Sequence, residues 1–205
     1  RRQRQMCIET VITADYRILI EHADEVIRGL KYFLKASLAN KGIIAIEDNK
    51  PRAIELFNQL TADDPNISVV VCPEKYPQGS ERHLIYAVTG RVVPERALPS
   101  AVGVIVDNVA TAMQAALAVK DDLPCYERIV TVSGNAVHKP GNYRVRIGTL
   151  YSHLVEQGAQ GLKNDPARII SGGPMMGFSL HSLDFPVLKG TGGLLLFDHQ
   201  SELAK

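Results

Sequence analysis

The period of the apolar positions changes several times along the chain, and each change marks an element. From Asp15 to Leu38 the residues Ala23, Val26, Ile27, Leu30, Phe33, Leu34 and Leu38 recur at intervals of three and four, which predicts one amphipathic helix. GIIAIED (42–48) is then a short, continuous apolar run of the buried-strand type. Pro51 in the following PRAIELFNQL sits where the first turn of a helix tolerates proline. The order of strand then helix recurs, with ISVVVCP (67–73) as the strand and SERHLIYAVTG (80–90) as a helix with a serine start and a glycine stop. VGVIVDN (102–108) and the alanine-rich VATAMQAALAV (109–119) make a third round. Alternating buried strands and helices predict a mostly parallel, layered α/β domain ending near Asp121.

Past Leu123 the texture is different. RIVTVSG and NYRVRIG alternate with period two and are separated by HKPG, whose Pro-Gly pair signals a turn, so a hairpin is expected. YSHLVEQG supplies one short helix, while ARIISGGPMMGF and FPVLKGTGGLLLF are strand-like with glycine-rich joints. This half reads as α+β, a small sheet crossed by one helix, with the boundary near DDLP (121–124). The opening RRQRQM carries no turn, cap or strand signal and reads as a cut edge or a cloning remnant.

Composition narrows the function classes. At 205 residues, 45% hydrophobic and 22% charged, the chain is an ordinary globular sequence, neither disordered nor fibrous. Lys plus Arg is 23 against 22 for Asp plus Glu, so no basic surplus points to nucleic acid. Three distant cysteines, Cys7, Cys72 and Cys125, imply neither a disulfide framework nor a metal site, and read as thiols in a reducing compartment. No run reaches the roughly 18 apolar residues that insertion into a bilayer requires. Nucleophile elbow, zinc-ligand spacing and phosphate-loop GxxxxGK are all absent, the six histidines are scattered, and Asp63 and Asp64 sit in a turn context. No catalytic residue and no metal ligand is assigned.

Two segments carry more. In EKYPQGSERHL a tight loop with Tyr76, Pro77, Gly79 and Ser80 opens a helix whose first turn holds Glu81; backbone N–H groups there suit an anion or the polar edge of a cofactor. The plainer reading is a Ser80 N-cap with Glu81 opposing the helix dipole. Asp107 and Asn108 end the third predicted strand and Thr111 lies one helical turn on, at the carboxyl edge where open α/β sheets bind ligands; an ordinary cap is again the alternative.

Four segments resemble the RnfC subunit of the Rnf-type ion-translocating electron transport complex and, more distantly, the flavin-bearing subunit of respiratory complex I. They are IETVITADYRILIEHADEVIRGL; KYPQGSERHLIYAVTGR, which follows the family's KYPQG segment almost residue for residue; ALPSAVGVIVDNVATA; and VTVSGNAVHKPGNYRVRIGT with ISGGPMMGF and KGTGGLLLF. The resemblance implies a Rossmann-like flavin- and NADH-binding domain over 1–122, followed by a β-grasp, soluble-ligand-binding domain over 123–205. It implies FMN and NADH as cofactors. Glu9 matches the second acid of the family's acidic motif beside flavin and nicotinamide; Tyr76, Gly79, Ser80 and Glu81 match the loop over the flavin ring; Asn108 and Thr111 match the strand-end contacts.

Departures qualify the transfer. Ser80 stands where the complex I relative has the first of two acids, and CIET puts Cys7 and Thr10 in place of the motif's first acid and proline. The family's glycine-rich GGAGFPTG loop is expected before residue 1, and its ferredoxin-like module, with 4Fe-4S clusters on CxxCxxCxxxCP runs, beyond Lys205. The implied parent is an NADH-dependent oxidoreductase subunit, peripheral on the cytoplasmic face of the bacterial plasma membrane and partnered by the complex's other subunits. The isolated stretch is expected to bind flavin weakly and to turn over no NADH. Related cobalamin-reducing and proline-reductase-associated proteins share the architecture. A reading of another class is a non-catalytic docking or ligand-binding module built from Cys125 onward, supported if Met175 and Met176 are exposed; filling a core is the expectation for both.

Overall fold

The helical periodicity over 15–38 is realised as two helices, α1 (Ala14–Glu21) and α2 (Ala23–Ser37), in the computed structural model, which describes residues 12–204. The single helix predicted there is broken at His22, whose φ of −129° and ψ of 33° leave the helical region. Its N–H still reaches Ile18 O at 2.9 Å and its C=O still accepts from Val26 N at 3.0 Å. The break is therefore a one-residue bend that leaves the apolar face continuous across it. Because residues 1–11 lie outside the described range, so do the RRQRQM opening, Glu9, and Cys7 and Thr10 of CIET.

The described residues form two compact units, one running Asp15–Pro124 and the other combining residues 12–14 with 125–204. In the first, β1 (Gly42–Glu47) and β2 (Ile67–Cys72) pair in parallel, in register from Gly42 opposite Ile67 to Glu47 opposite Cys72. Their carboxyl ends therefore lie side by side. Between them α3 (Pro51–Thr61), with proline in its first turn, buries Ala53 and Phe57. Asp64 shapes the turn into β2: one carboxylate oxygen accepts from Asn66 N at 3.1 Å and the other pairs with Lys31 Nζ at 2.8 Å.

Two further helices complete the unit: α4 (Glu81–Thr89), ended by Gly90 at φ 70°, and α5 (Val109–Asp121). Arg82 on α4 ties down the following loop by donating to Val93, Pro94 and Ala97 carbonyls at 3.2, 2.9 and 2.8 Å. Helices α2 and α5 pack through small residues. Gly29, buried on α2, faces Ala112 so closely that a Cβ at position 29 would stand 1.9 Å from Ala112 O. Ala110, Ala112 and Ala116 keep the opposing face of α5 equally low.

The third predicted strand does not form. The 3-10 turn Pro99–Val102 absorbs the start of VGVIVDN, Gly103 reverses the chain at φ 68°, and 104–108 run on without joining a ladder among the described residues. Ile105 stands 66% exposed there. An apolar run reports a preference for burial but does not supply the neighbouring strand that a ladder needs.

The second unit is a five-stranded mixed sheet in the order β4-β3-β7-β5-β6: β3 (Glu127–Ser133), β4 (Gly141–Arg146), β5 (Arg168–Ser171), β6 (Phe178–Leu180) and β7 (Gly193–Phe197). The predicted hairpin is β3 against β4, antiparallel, while β7 runs parallel to β3 and antiparallel to β5. GLLLF occupies the centre of the sheet and is buried throughout. Its residues alternate between faces as the pleat requires. Leu194 and Leu196 join Val130, Val132 and Ile169 under the helical turn Tyr151–His153 and its π-helical continuation Leu154–Gly158, whereas Leu195 and Phe197 pack with Ile170, Ile12 and Leu203. The Tyr151 hydroxyl, buried in this core, is satisfied by Ser171 Oγ at 2.7 Å and Thr191 Oγ1 at 3.3 Å.

Met175 and Met176 do not fill a core. They are 54% and 78% exposed beside the edge strand β6, next to an equally exposed Phe178, which corrects the core-filling expectation. β6 is three residues long and, among the described residues, has no strand on its outer side.

Candidate functional site

Register dictates where a ligand can enter the Asp15–Pro124 unit. Strands β1 and β2 end together at Glu47 and Cys72, and the first turns of α4 and α5 approach the same edge. This is the carboxyl edge at which open α/β sheets take ligands. A cleft of about 580 Å³ opens there, and every residue lining it belongs to this unit. Its size falls within the range of small-molecule and cofactor sites, about 300–1,000 Å³.

Four of the sequence-derived residues meet in this cleft: Gly79 and Glu81 from the loop and first turn of α4, and Asn108 and Thr111 from the start of α5. Asn108 does two jobs. Its Oδ1 caps α5 by accepting from Ala110 N at 2.8 Å, and its Nδ2 donates to Asp15 Oδ2 at 2.8 Å. The cap reading and the cleft-lining reading thus describe the same side chain. Ser80 precedes α4 with extended backbone but makes no side-chain cap bond, so its hydroxyl does not serve the helix it introduces. Ser80 and Tyr76 do not line the cleft; Tyr76, across a cis peptide bond from Pro77, is 47% exposed. Glu9 lies outside the described residues.

Gly79 matters for what it leaves open. A Cβ built there meets nothing within 4 Å, so the glycine is not required by packing inside the chain. Side chains added at this point extend into open space at the mouth of the cleft.

Several lining residues carry no motif of their own in the sequence. Tyr16 from α1, Glu47 from the end of β1 and Lys50 from the turn after it form one wall. Lys50 Nζ donates to Asn49 Oδ1 at 2.8 Å, stands 4.0 Å from Glu47 Oε2 and lies 5.7 Å from the centre of the Tyr16 ring. The run EDNK between an apolar strand and a proline-led helix is the available signal, since polar residues at a strand's carboxyl end fall on the ligand-binding edge. Gln78 and Cys72 form another part of the lining. The Gln78 Nε2 atom is buried, and its neighbour is the weakly accepting Cys72 sulfur. Burial pushes the Cys72 thiol up; Gln78 beside it opposes that and the nearby Glu47 charge adds to it, so the thiol stays protonated and is no nucleophile.

The chemistry on offer is recognition. An apolar floor of Leu19, Ala45, Ile46, Leu84 and Val106 suits a flat ring, and the rim supplies amide, hydroxyl and carboxylate groups for its polar edge. The buried Gln78 amide, whose neighbour in the chain is the weak acceptor Cys72, and the open side of Gly79 both fit a group such as a flavin ring.

Comparison with known proteins agrees with both units. A family model described as the Nuo51 FMN-binding domain matches residues 6–117, and one described as the SLBB domain matches residues 129–179. The C subunit of the proton-translocating ferredoxin:NAD(+) oxidoreductase complex of Clostridium ljungdahlii is 43% identical over 187 residues, 91% of this chain and 40% of that protein. Its Na(+)-translocating counterpart from Acetobacterium woodii is 41% identical over 193 residues, 94% of this chain and 43% of that protein. The C subunit of the ion-translocating oxidoreductase complex of Pasteurella multocida is 42% identical over 194 residues, covering 93% of this chain and 23% of the relative. The chain therefore spans less than half the length of these curated relatives. Among solved structures, the air-oxidised NAD+-reducing [NiFe]-hydrogenase shares the fold, with a TM-score of 0.68 at 19% identity over 92% of this chain and 38% of that one.

Proposed function

This chain belongs to the Nuo51 FMN-binding domain family, and on that premise we propose that it is the flavin-binding segment of an electron-transfer subunit in an Rnf-type ion-translocating complex. In this reading the subunit oxidises NADH through FMN and passes electrons to 4Fe-4S clusters carried by parts of such subunits that this chain does not span. The observation that carries it is the cleft at the carboxyl edge of β1 and β2, within the segment that matches the FMN-binding family and lined from three of the segments that resemble RnfC.

Bound FMN supplies the conversion between two-electron and one-electron transfer. The chain's own residues do the rest. The apolar floor excludes water from one side of the ring. Thr111, Asn108 and the free backbone donors in the first turn of α4 orient its polar edge. Glu81 adds a carboxylate that disfavours further negative charge, tuning the cofactor's potential. The second unit, with Met175, Met176 and Phe178 exposed at its sheet edge, serves as the docking face for other subunits, and the assembly sits peripherally on the cytoplasmic side of the membrane. No helix among the described residues is long and apolar enough to cross a membrane.

Titration of FMN into the purified chain, and into a version extended at its N-terminus to supply the glycine-rich loop expected before residue 1, tests the reading through quenching of flavin fluorescence. Weak binding to the chain and stoichiometric binding to the extended version are expected. Failure of both to bind FMN overturns the flavin assignment.

A further inference from the structure

The charges lining the cleft are unequal. Asp15, Glu47, Glu81 and Asp107 face it from four directions in the chain, and Lys50 is the one basic residue among the described lining side chains. We propose that Lys50 sets the redox poise of the bound flavin, acting as the counter-charge for the negative charge that reduction adds; this rests on the flavin reading above.

Position argues that Lys50 is placed for the cleft rather than for the fold. It is the N-cap of α3, where the positive end of the helix dipole disfavours a cation, and its side chain makes no cap bond. A lysine at that point is free to extend into solvent, yet its side chain is only 23% exposed. Asn49, Glu47 and the Tyr16 ring hold it against the cleft wall. Asn49 takes one of its three ammonium N–H groups, and the contact with Glu47, at 4.0 Å, is too long for a hydrogen bond. The ammonium is therefore held in place but not consumed by its neighbours.

Taking up two electrons and one proton turns the neutral flavin ring into an anion. In a cleft with four carboxylates that product is opposed by like charge, and a single fixed cation has a disproportionate effect on it. The oxidised ring is neutral and gains little from the same cation. Lys50 is thus a positioning residue for charge, and its removal is expected to weaken binding of reduced FMN while leaving oxidised FMN almost untouched.

The test uses the N-terminally extended chain with bound FMN, in wild-type, Lys50→Met and Lys50→Arg forms, and reads the midpoint potential against a reference dye during dithionite reduction. Lys50→Met is expected to lose on the order of tenfold in affinity for reduced relative to oxidised FMN, a lowering of about 30 mV for a two-electron couple. Lys50→Arg, which keeps the charge, is expected to stay within about a third of that shift. Should Lys50→Met fold poorly by circular dichroism, Lys50→Gln repeats the comparison with a polar side chain. An unchanged potential in the charge-removing variants overturns the inference. So does a loss of oxidised FMN with riboflavin binding retained, since Lys50 would then hold the phosphate. Absence of flavin from the wild-type protein overturns the reading on which the inference rests, and is distinguished from the other outcomes by the flavin spectrum alone.

Discussion

Replacing Gly29 by alanine tests whether the approach of α2 to α5 is what holds the cleft in shape. On helix propensity alone the change is favourable, by about 1 kcal/mol, because alanine restricts the unfolded chain and suits a helix interior. The structure reverses the sign. The new Cβ would stand 1.9, 2.5 and 2.9 Å from the carbonyl oxygen, carbonyl carbon and Cα of Ala112, all backbone atoms that no rotamer change can move. Restoring ordinary contact, about 3.5 Å, requires the helices to separate by roughly 1.5 Å across a close-packed interface. Overpacking costs about 1–3 kcal/mol where side chains can give way, and an obstruction made of backbone belongs at the upper end. A net destabilisation of about 2 kcal/mol follows, read as a lower urea midpoint for loss of helical circular dichroism. Because α5 begins just after Asn108 and carries Thr111, the same displacement also weakens ligand binding at the cleft. A Gly29→Ala chain as stable as wild type, or more so, refutes the packing argument.

Two further outcomes follow from other positions. Gly79→Leu adds a side chain where a Cβ meets nothing, so the midpoint of unfolding stays within about 0.5 kcal/mol of wild type while FMN affinity falls at least about tenfold; equal affinity in the two chains contradicts the site. Asp198 is buried, and although burial raises its pKa, hydrogen bonds from Asn164, the Gln200 backbone and Asn135 outweigh it and hold the carboxyl below its ordinary value of 3.8. The unfolded chain therefore takes up this proton first, and the stability Asp198 confers is present above pH 3.8 and lost as pH falls through its lower folded value. Asp198→Asn is accordingly expected to lower the urea midpoint at neutral pH and to differ less from wild type at about pH 3, and a difference that grows on acidification counts against this account.

What the sequence reveals is mostly what depends on local periodicity and end signals. Pro51 and Gly90 stand at the helix ends that their positions predict, and the hairpin around HKPG has the strands expected of it. The misreadings share a physical cause in neighbours that a linear pattern does not identify. VGVIVDN has a strand's composition but no partner strand among the described residues, and Met175 and Met176 have a core's composition but stand exposed beside β6 at the edge of the sheet. His22 bends a helix without interrupting its apolar stripe, so periodicity does not register it. The site divides in the same way. Gly79, Glu81, Asn108 and Thr111 sit beside cap and turn signals and are legible, whereas Tyr16, Glu47 and Lys50 become cleft residues only once β1 and β2 pair in register and bring Glu47 beside Cys72.

The most direct test of the central claim, that the cleft in the Asp15–Pro124 unit is the flavin site, is amide hydrogen exchange of the N-terminally extended chain with and without FMN. Protection is predicted in two windows within that unit, the loop and first turn around Gln78–Glu81 and the start of α5 around Asn108–Thr111, with residues 125–204 unchanged. Bound FMN that leaves both windows unprotected, or that protects the five-stranded sheet instead, contradicts the account.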